Sequence, residues 1–372
     1  MGNLSVLTRV ALLPAVLALS LPTAASAHEC IAASTLAGWS VHRRAAQLVV
    51  APVEESEPLA AKRLVAEGIG GLLLFGSSAP AALPADLARL RAHAEGRLAP
   101  LVMTDEEGGE IQRMANLVGN LPWPREMTSA MTTGQVQVLA KKVGRGMRAA
   151  GVTMDLAPVL DLSDSPGPNA RYADGPRSFS VSPSLAASYG VAFARGLLAG
   201  GVIPVVKHFP GLGQASYNTD YGPASDPPVS VLERNSLRPF EAAISAHLPA
   251  VMVGHASVPG LTGRVPASLS SAAVTGLLRN KLGFRGLVLT DSLSATAIAD
   301  AGYSVERAAP VAIAAGDDML LFNATNPTTT ANAVIANISA AVARGKLRRS
   351  RLNEAVTHVL SAKGINVCPS MA

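Results

Sequence analysis

Cysteine and charge are both scarce in this chain, and each shortage narrows what the protein can be. Only two cysteines occur in 372 residues, with no Cys cluster and no His-x-x-x-His pair, so the usual sequence signatures of a metal centre are missing. No Gly-x-Ser-x-Gly elbow is present, which argues against a serine hydrolase of the usual kind. No glycine-rich phosphate fingerprint follows the first predicted strand, which argues against dinucleotide binding. Charged residues make up 15% of the chain and the formal net charge of +5 is spread along it. The one basic cluster, Lys346 to Arg351, reads as a solvated helix start, and nucleic acid is not an expected partner. No metal and no organic cofactor is expected. What remains is a chain that is 49% hydrophobic, without a low-complexity linker or a second composition regime, and so one large buried core.

The first 27 residues read as a cleaved secretory leader: Arg9 supplies the positive region, Val10 to Leu21 the apolar one, and Ala25-Ser26-Ala27 the small-residue cleavage site. The apolar run falls short of the ~20 residues a membrane span needs, although an uncleaved anchor remains an alternative. Cys30 raises a lipidated anchor as another, against which His28 and Glu29 put bulky polar groups where that processing needs small ones. The expected locations are therefore secreted or cell-envelope (periplasmic). Cys30 and Cys368 bracket the mature chain, and in an exported protein such a pair is expected to form a disulfide. Closing so long a loop restricts the unfolded chain by up to roughly 5 kcal/mol. Two unrelated thiols are the alternative.

Apolar or β-branched runs recur eight times in the remaining residues, 28–372: QLVVAP near 47–52, GGLLLF at 70–75, PLVMTD at 100–105, GVTMDLAP at 151–158, VIPVVK at 202–207, AVMVGH at 250–255, GLVLTD at 286–291 and DDMLLF at 317–322. Segments of helical periodicity, such as VQVLAKKVGRGMRAA and SLAASYGVAFARGLLAG, fall between them. Alternating β and α units with doubly buried strands predict an α/β fold, a single (β/α)8 barrel, with an open doubly wound sheet as the competitor. Polar groups stand at the ends of these runs: Asp105, Asp161, Lys207 with His208, His255 and Asp291. In a barrel those ends converge on one face, so the set predicts one polar pocket. Lys207 beside it would repel a metal ion. The segment VIPVVKHFPGLGQASYNTDYG, residues 202–222, is the most telling, since a buried strand delivers a cation and an imidazole and then opens into a Gly/Pro-punctuated loop bearing Asp220. A basic pair with several carboxylates suits a polyhydroxylated ligand, leaving one carboxylate to act on an anomeric carbon.

The segments MTDEEGGEIQRM, APVLDL, PRSFS, KHFPGLG and PASLSSAAVTGLLRNKLGFRGLVLTDSLSATAI together resemble the glycoside hydrolase family 3 β-N-acetylglucosaminidases of bacteria, single-domain barrel enzymes that recycle or trim peptidoglycan. The resemblance spans nearly all of the mature chain, in order and spacing. It implies that Asp291 of LTDSLS is the nucleophile of a retaining hydrolase and that Asp105, Arg177, Lys207 and His208 bind the sugar. It also puts His255 near the pocket. The implied substrate is terminal β-linked N-acetylglucosamine of cell-wall fragments, with a monomer as the expected state.

One position departs from that pattern. The family usually reads KHFPGHG followed by Asp-Ser-His, where the histidine moves the proton and the aspartate orients it. Here the gapless match is Asn218-Thr219-Asp220, and Leu212 takes the place of the second histidine. An Asn amide does not titrate, and an ordinary Asp, at about 3.9, is a poor acid at neutral pH. Asp220 serves as acid/base if burial or ionised Asp291 raises it. Otherwise the chain is a weakened or sugar-binding homologue; a transferase or phosphorylase variant is a further alternative.

Overall fold

Eight parallel strands close into a barrel in the computed structural model, which describes residues 1–2, 30–96 and 98–368. The leader read from Arg9 to Ala27 lies outside the described residues. The strands are β1 (Val49–Glu54), β2 (Gly71–Phe75), β3 (Leu101–Thr104), β4 (Met154–Asp155), β5 (Ile203–Phe209), β6 (Ala250–Val253), β7 (Leu287–Ser292) and β8 (Met319–Leu321). Each pairs with its neighbour in sequence, and β8 returns to β1. All eight apolar runs therefore became barrel strands, as doubly buried segments do when helices cover the outside. The run at 151–158 shortened to two residues; Pro158 within it has no N–H to give to a ladder. The helix Leu83–Arg91 was not anticipated, although Leu83, Leu87 and Leu90 form a buried stripe. Pro84 falls in its first turn, where a missing N–H costs nothing.

The barrel's interior is filled by side chains. Gly71 leaves room for two methionines: a Cβ there would lie 2.9 Å from Met103 Cε and 3.2 Å from Met319 Cε. At the N-terminal end of β8, fully buried Asp318 accepts from Arg279, Arg351 and His358 and from the Val288 backbone. The reading of Lys346–Arg351 as a solvated helix start holds for the exposed Lys346, Arg348 and Arg349 and is corrected at Arg351. The helix Arg349–Ala362 begins there, but Arg351 is buried, drawn in by Asp318 and by the Asp317 carbonyl at 2.7 Å. Burial opposes ionisation of Asp318, yet His358 and the two arginines outweigh it and hold the carboxyl below its ordinary range. Asp318→Ala strands two buried guanidinium groups, and we expect it to cost about 3–5 kcal/mol in denaturant unfolding. The wild-type contribution is present above the unfolded pKa and fades as pH falls through the folded one.

Two short strands lie outside the barrel. Cys30–Ala32 pairs in parallel with Asn366–Cys368, Ala32 lying opposite Cys368. Among the described residues no helix is long and apolar enough to cross a membrane.

Candidate active site

At the C-terminal ends of the strands, Asp105, Glu107, Arg177, Lys207, His208, Asp220 and Asp291 line one cavity of about 470 Å³. Consecutive residues of a regular strand point to opposite faces. Lys207 and His208 nevertheless share this cavity, because the register of β5 against β6 slips between Val206 and Phe209. The loop that follows folds back tightly: a Cβ on Gly213 would sit 2.3 Å from the Leu162 carbonyl oxygen. Leu212, at the second-histidine position of the motif, is buried with Ala224 and Ala256, and its N–H donates to Asp161 at 2.7 Å.

A charge network forms one wall. Glu107 takes both Nε and Nη2 of Arg177 at 2.8 Å and Lys207 Nζ at 2.6 Å, while Lys207 also reaches Asp105 at 2.8 Å. Burial would raise Glu107, but Arg177 and Lys207 overcome it and hold the carboxyl far below its usual range. Burial likewise disfavours the Lys207 cation, and Asp105 and Glu107 reverse that, so the ammonium stays charged. Glu107 was missed by the sequence reading, although it stands two residues past Asp105.

Asp161 does not face the cavity. It is fully buried, with its Oδ2 2.6 Å from His208 Nδ1 and its oxygens accepting the His208 and Leu212 N–H groups. Burial works against the imidazolium, but Asp161 prevails and raises the His208 pKa. Asp174, also unanticipated, is buried with neither carboxylate oxygen hydrogen-bonded; burial first, then Asp161, lift it to about 7. Asp161, Asp174 and His208 each place a ligand-type atom within 4.8 Å of the others, a grouping that motif spacing could not reveal. Asp161 is already committed to His208 and two backbone donors.

His255 lies off the cavity lining. Its Nε2–H donates to the Ser292 carbonyl at 2.8 Å and its Nδ1 is 2.8 Å from Ser268 Oγ, so both ring nitrogens are occupied beside the Asp291 strand end. Burial lowers its pKa, as suits a neutral ring. Asp291 accepts the Ser292 N–H at 2.7 Å. Burial pushes this carboxyl up, but His208, His255, the Ser292 N–H and Lys207 turn the balance, leaving it more acidic than usual.

The loop carrying Asp220 is docked over the cavity. Asn218 Nδ2 donates to the Asn169 carbonyl and its Oδ1 accepts the Asp220 N–H, both at 3.0 Å. Thr296 Oγ1 donates to the Asp220 carbonyl at 2.7 Å, and Ala297 N–H to that of Thr219 at 3.1 Å. Asp220 keeps an open path to solvent, yet partial burial, and then the charge of Asp291, raise its carboxyl pKa. A carboxyl whose pKa is lowered and another whose pKa is raised thus line one pocket.

Comparison with known proteins follows the same geometry. The model of the glycosyl hydrolase family 3 N-terminal domain matches residues 40–362. The β-hexosaminidase LpqI of Mycobacterium tuberculosis is 37% identical over 304 residues, 80% of this chain and 76% of that protein. Its solved structure superposes with a TM-score of 0.82 at 36% identity, covering 91% of this chain and 98% of that one. A β-N-acetylhexosaminidase from Beutenbergia cavernae gives 0.78 at 30% identity, covering 88% and 99%.

Proposed function

Because this chain belongs to glycosyl hydrolase family 3 and is a β-hexosaminidase-type glycosidase, we propose that it removes terminal β-linked N-acetylglucosamine from peptidoglycan-derived oligosaccharides by a retaining route. One observation carries the reading: the sugar-holding candidates Asp105, Arg177, Lys207 and His208 line the same cavity as Asp220 and Asp291. Asp291, ionised, attacks the anomeric carbon and forms a glycosyl-enzyme ester while Asp220 gives its proton to the leaving oxygen. Esterification removes the Asp291 charge, and with it one of the two influences that raise Asp220. Asp220, its proton already given up, is then favoured in the ionised form that takes a proton from the water releasing the sugar.

The proposal extends to the protein's setting. A leader of residues 1–27 directs export, residues 28–372 form the barrel domain, and the enzyme acts as a monomer in the envelope or outside it. Pairing of the two end strands supports a disulfide between Cys30 and Cys368, which mass change on reduction tests.

The deciding assay sets a nitrophenyl N-acetylglucosaminide against a disaccharide cell-wall fragment. Turnover of both is expected. Turnover of the nitrophenyl compound alone would mean a lost proton donor, and sugar binding without any turnover a binding protein. The pH profile carries its own sign. Asp220 must hold a proton to act first, and its pKa is raised, so kcat/KM on the disaccharide falls as pH rises through that value. The acid limb follows protonation of Asp291, whose pKa is lowered. A flat profile across both limbs would remove this pair from the mechanism.

A further inference from the structure

A sugar held by the charge network lies deep in the Asp291 cavity, where Glu107, Lys207 and His208 are buried. Whatever is bonded to that sugar must extend toward the mouth. The exposed residues of the cavity lining mark the mouth, and they are Pro168, Asn169, Asp220, Tyr221 and Asn323. The first four sit on two loops joined by the Asn218 Nδ2 donation to the Asn169 carbonyl. Tyr221 is the unusual member. Aromatic residues make up only 4% of the chain, yet Tyr221 is 60% exposed. Among the described residues one other aromatic is exposed, Tyr172, which lies off the cavity lining with the Arg171 guanidinium 5.5 Å from its ring centroid.

The proton donor fixes where the leaving group goes. The oxygen that Asp220 protonates must lie within hydrogen-bond reach of its carboxyl, and the group on the far side of that oxygen then lies beside the next residue of the loop. Tyr221 is that residue, its Cα about 3.8 Å along the chain, and it lines the same cavity. Its N–H donates to the Asn218 carbonyl at 3.0 Å, while Thr296 Oγ1 holds the Asp220 carbonyl, so the two neighbours are presented together. We propose that Tyr221 is the platform of the leaving-group subsite. The second sugar of a disaccharide lays the C–H face of its pyranose ring on the phenol ring while Asp220 protonates the oxygen between the sugars. The aromatic face covers the apolar side of that ring, and its hydroxyls stay in water at the open mouth. The proposal deepens the glycosidase reading above and rests on it.

Two substrates separate stacking from proton transfer: the disaccharide cell-wall fragment and methyl β-N-acetylglucosaminide. Both release an alcohol and so need the Asp220 proton, but methanol offers no ring to stack. In Tyr221→Ala, kcat/KM is expected to fall roughly threefold to tenfold on the disaccharide, the range of one aromatic contact, and less than about twofold on the methyl glycoside. Tyr221→Phe keeps the ring and loses only the hydroxyl, and it is expected to match the unaltered enzyme on both. Equal losses on the two substrates would make Tyr221 a support for Asp220 alone. No loss on either would leave the ring without a role, and a Phe variant as impaired as the Ala one would make the contact a hydroxyl hydrogen bond. Each of these results overturns the platform. If the unaltered enzyme cleaves neither substrate, the glycosidase reading fails instead. Calorimetric binding of the disaccharide then still decides the platform, which stands if Tyr221→Ala binds it more weakly and falls if the affinity is unchanged.

Discussion

Asp291→Ala is expected to lower turnover of activated and natural N-acetylglucosaminides alike, by roughly 10⁴-fold or more, since removing a covalent nucleophile removes the intermediate itself. The structure gives the reason for so large an effect. Asp291 is held by the Ser292 N–H at 2.7 Å, and burial is outweighed chiefly by His208, so the carboxylate is formed and aimed before substrate arrives. Glu107, another lining carboxylate of depressed pKa, has its oxygens occupied by two cations. The loss therefore appears in kcat on every substrate, whatever its leaving group. Added azide is expected to restore some turnover of a nitrophenyl glycoside by filling the space the side chain vacates, with a glycosyl azide as product. Activity surviving unaided in Asp291→Ala would remove Asp291 as nucleophile.

Asp220→Ala is expected to behave differently, and the difference is its signature. General acid catalysis contributes about a hundredfold to ten-thousandfold where the leaving group needs a proton. Loss on the disaccharide is expected in that range. A nitrophenolate leaves without help, so formation of the intermediate on the activated substrate is nearly spared, and its slow breakdown shows as a burst. The variant's pH profile on the disaccharide is expected to lose its alkaline limb. Equal damage to both substrates would make Asp220 a structural residue.

Much of this was legible in the sequence because burial leaves a plain mark there. Strands covered on both faces must be apolar throughout, so all eight runs could be seen, and the charged residues that end β3, β5 and β7 stood out against them. Loops carry no such periodicity. Arg177 was identified by resemblance alone, and Asp174 was not noticed, because its burial without a hydrogen bond depends on where the segment after β4 packs. The Asp161–His208 contact joins residues 47 apart in the chain, which no spacing rule connects. His255 was expected near the pocket; it stands off the cavity lining, bonded to Ser268 and to the carbonyl of Ser292 next to Asp291. Arg351 looked like a surface charge until its partner at the start of β8 was in view.

The two bonds made by the Asn218 amide tie the pocket's rim to a single side chain's chemistry. One end donates to a carbonyl and the other receives an N–H, and only a side chain with both a donor and an acceptor can do both. Asn218→Asp would lose the donor to the Asn169 carbonyl and Asn218→Ala both bonds, so each would loosen the backbone that carries Asp220.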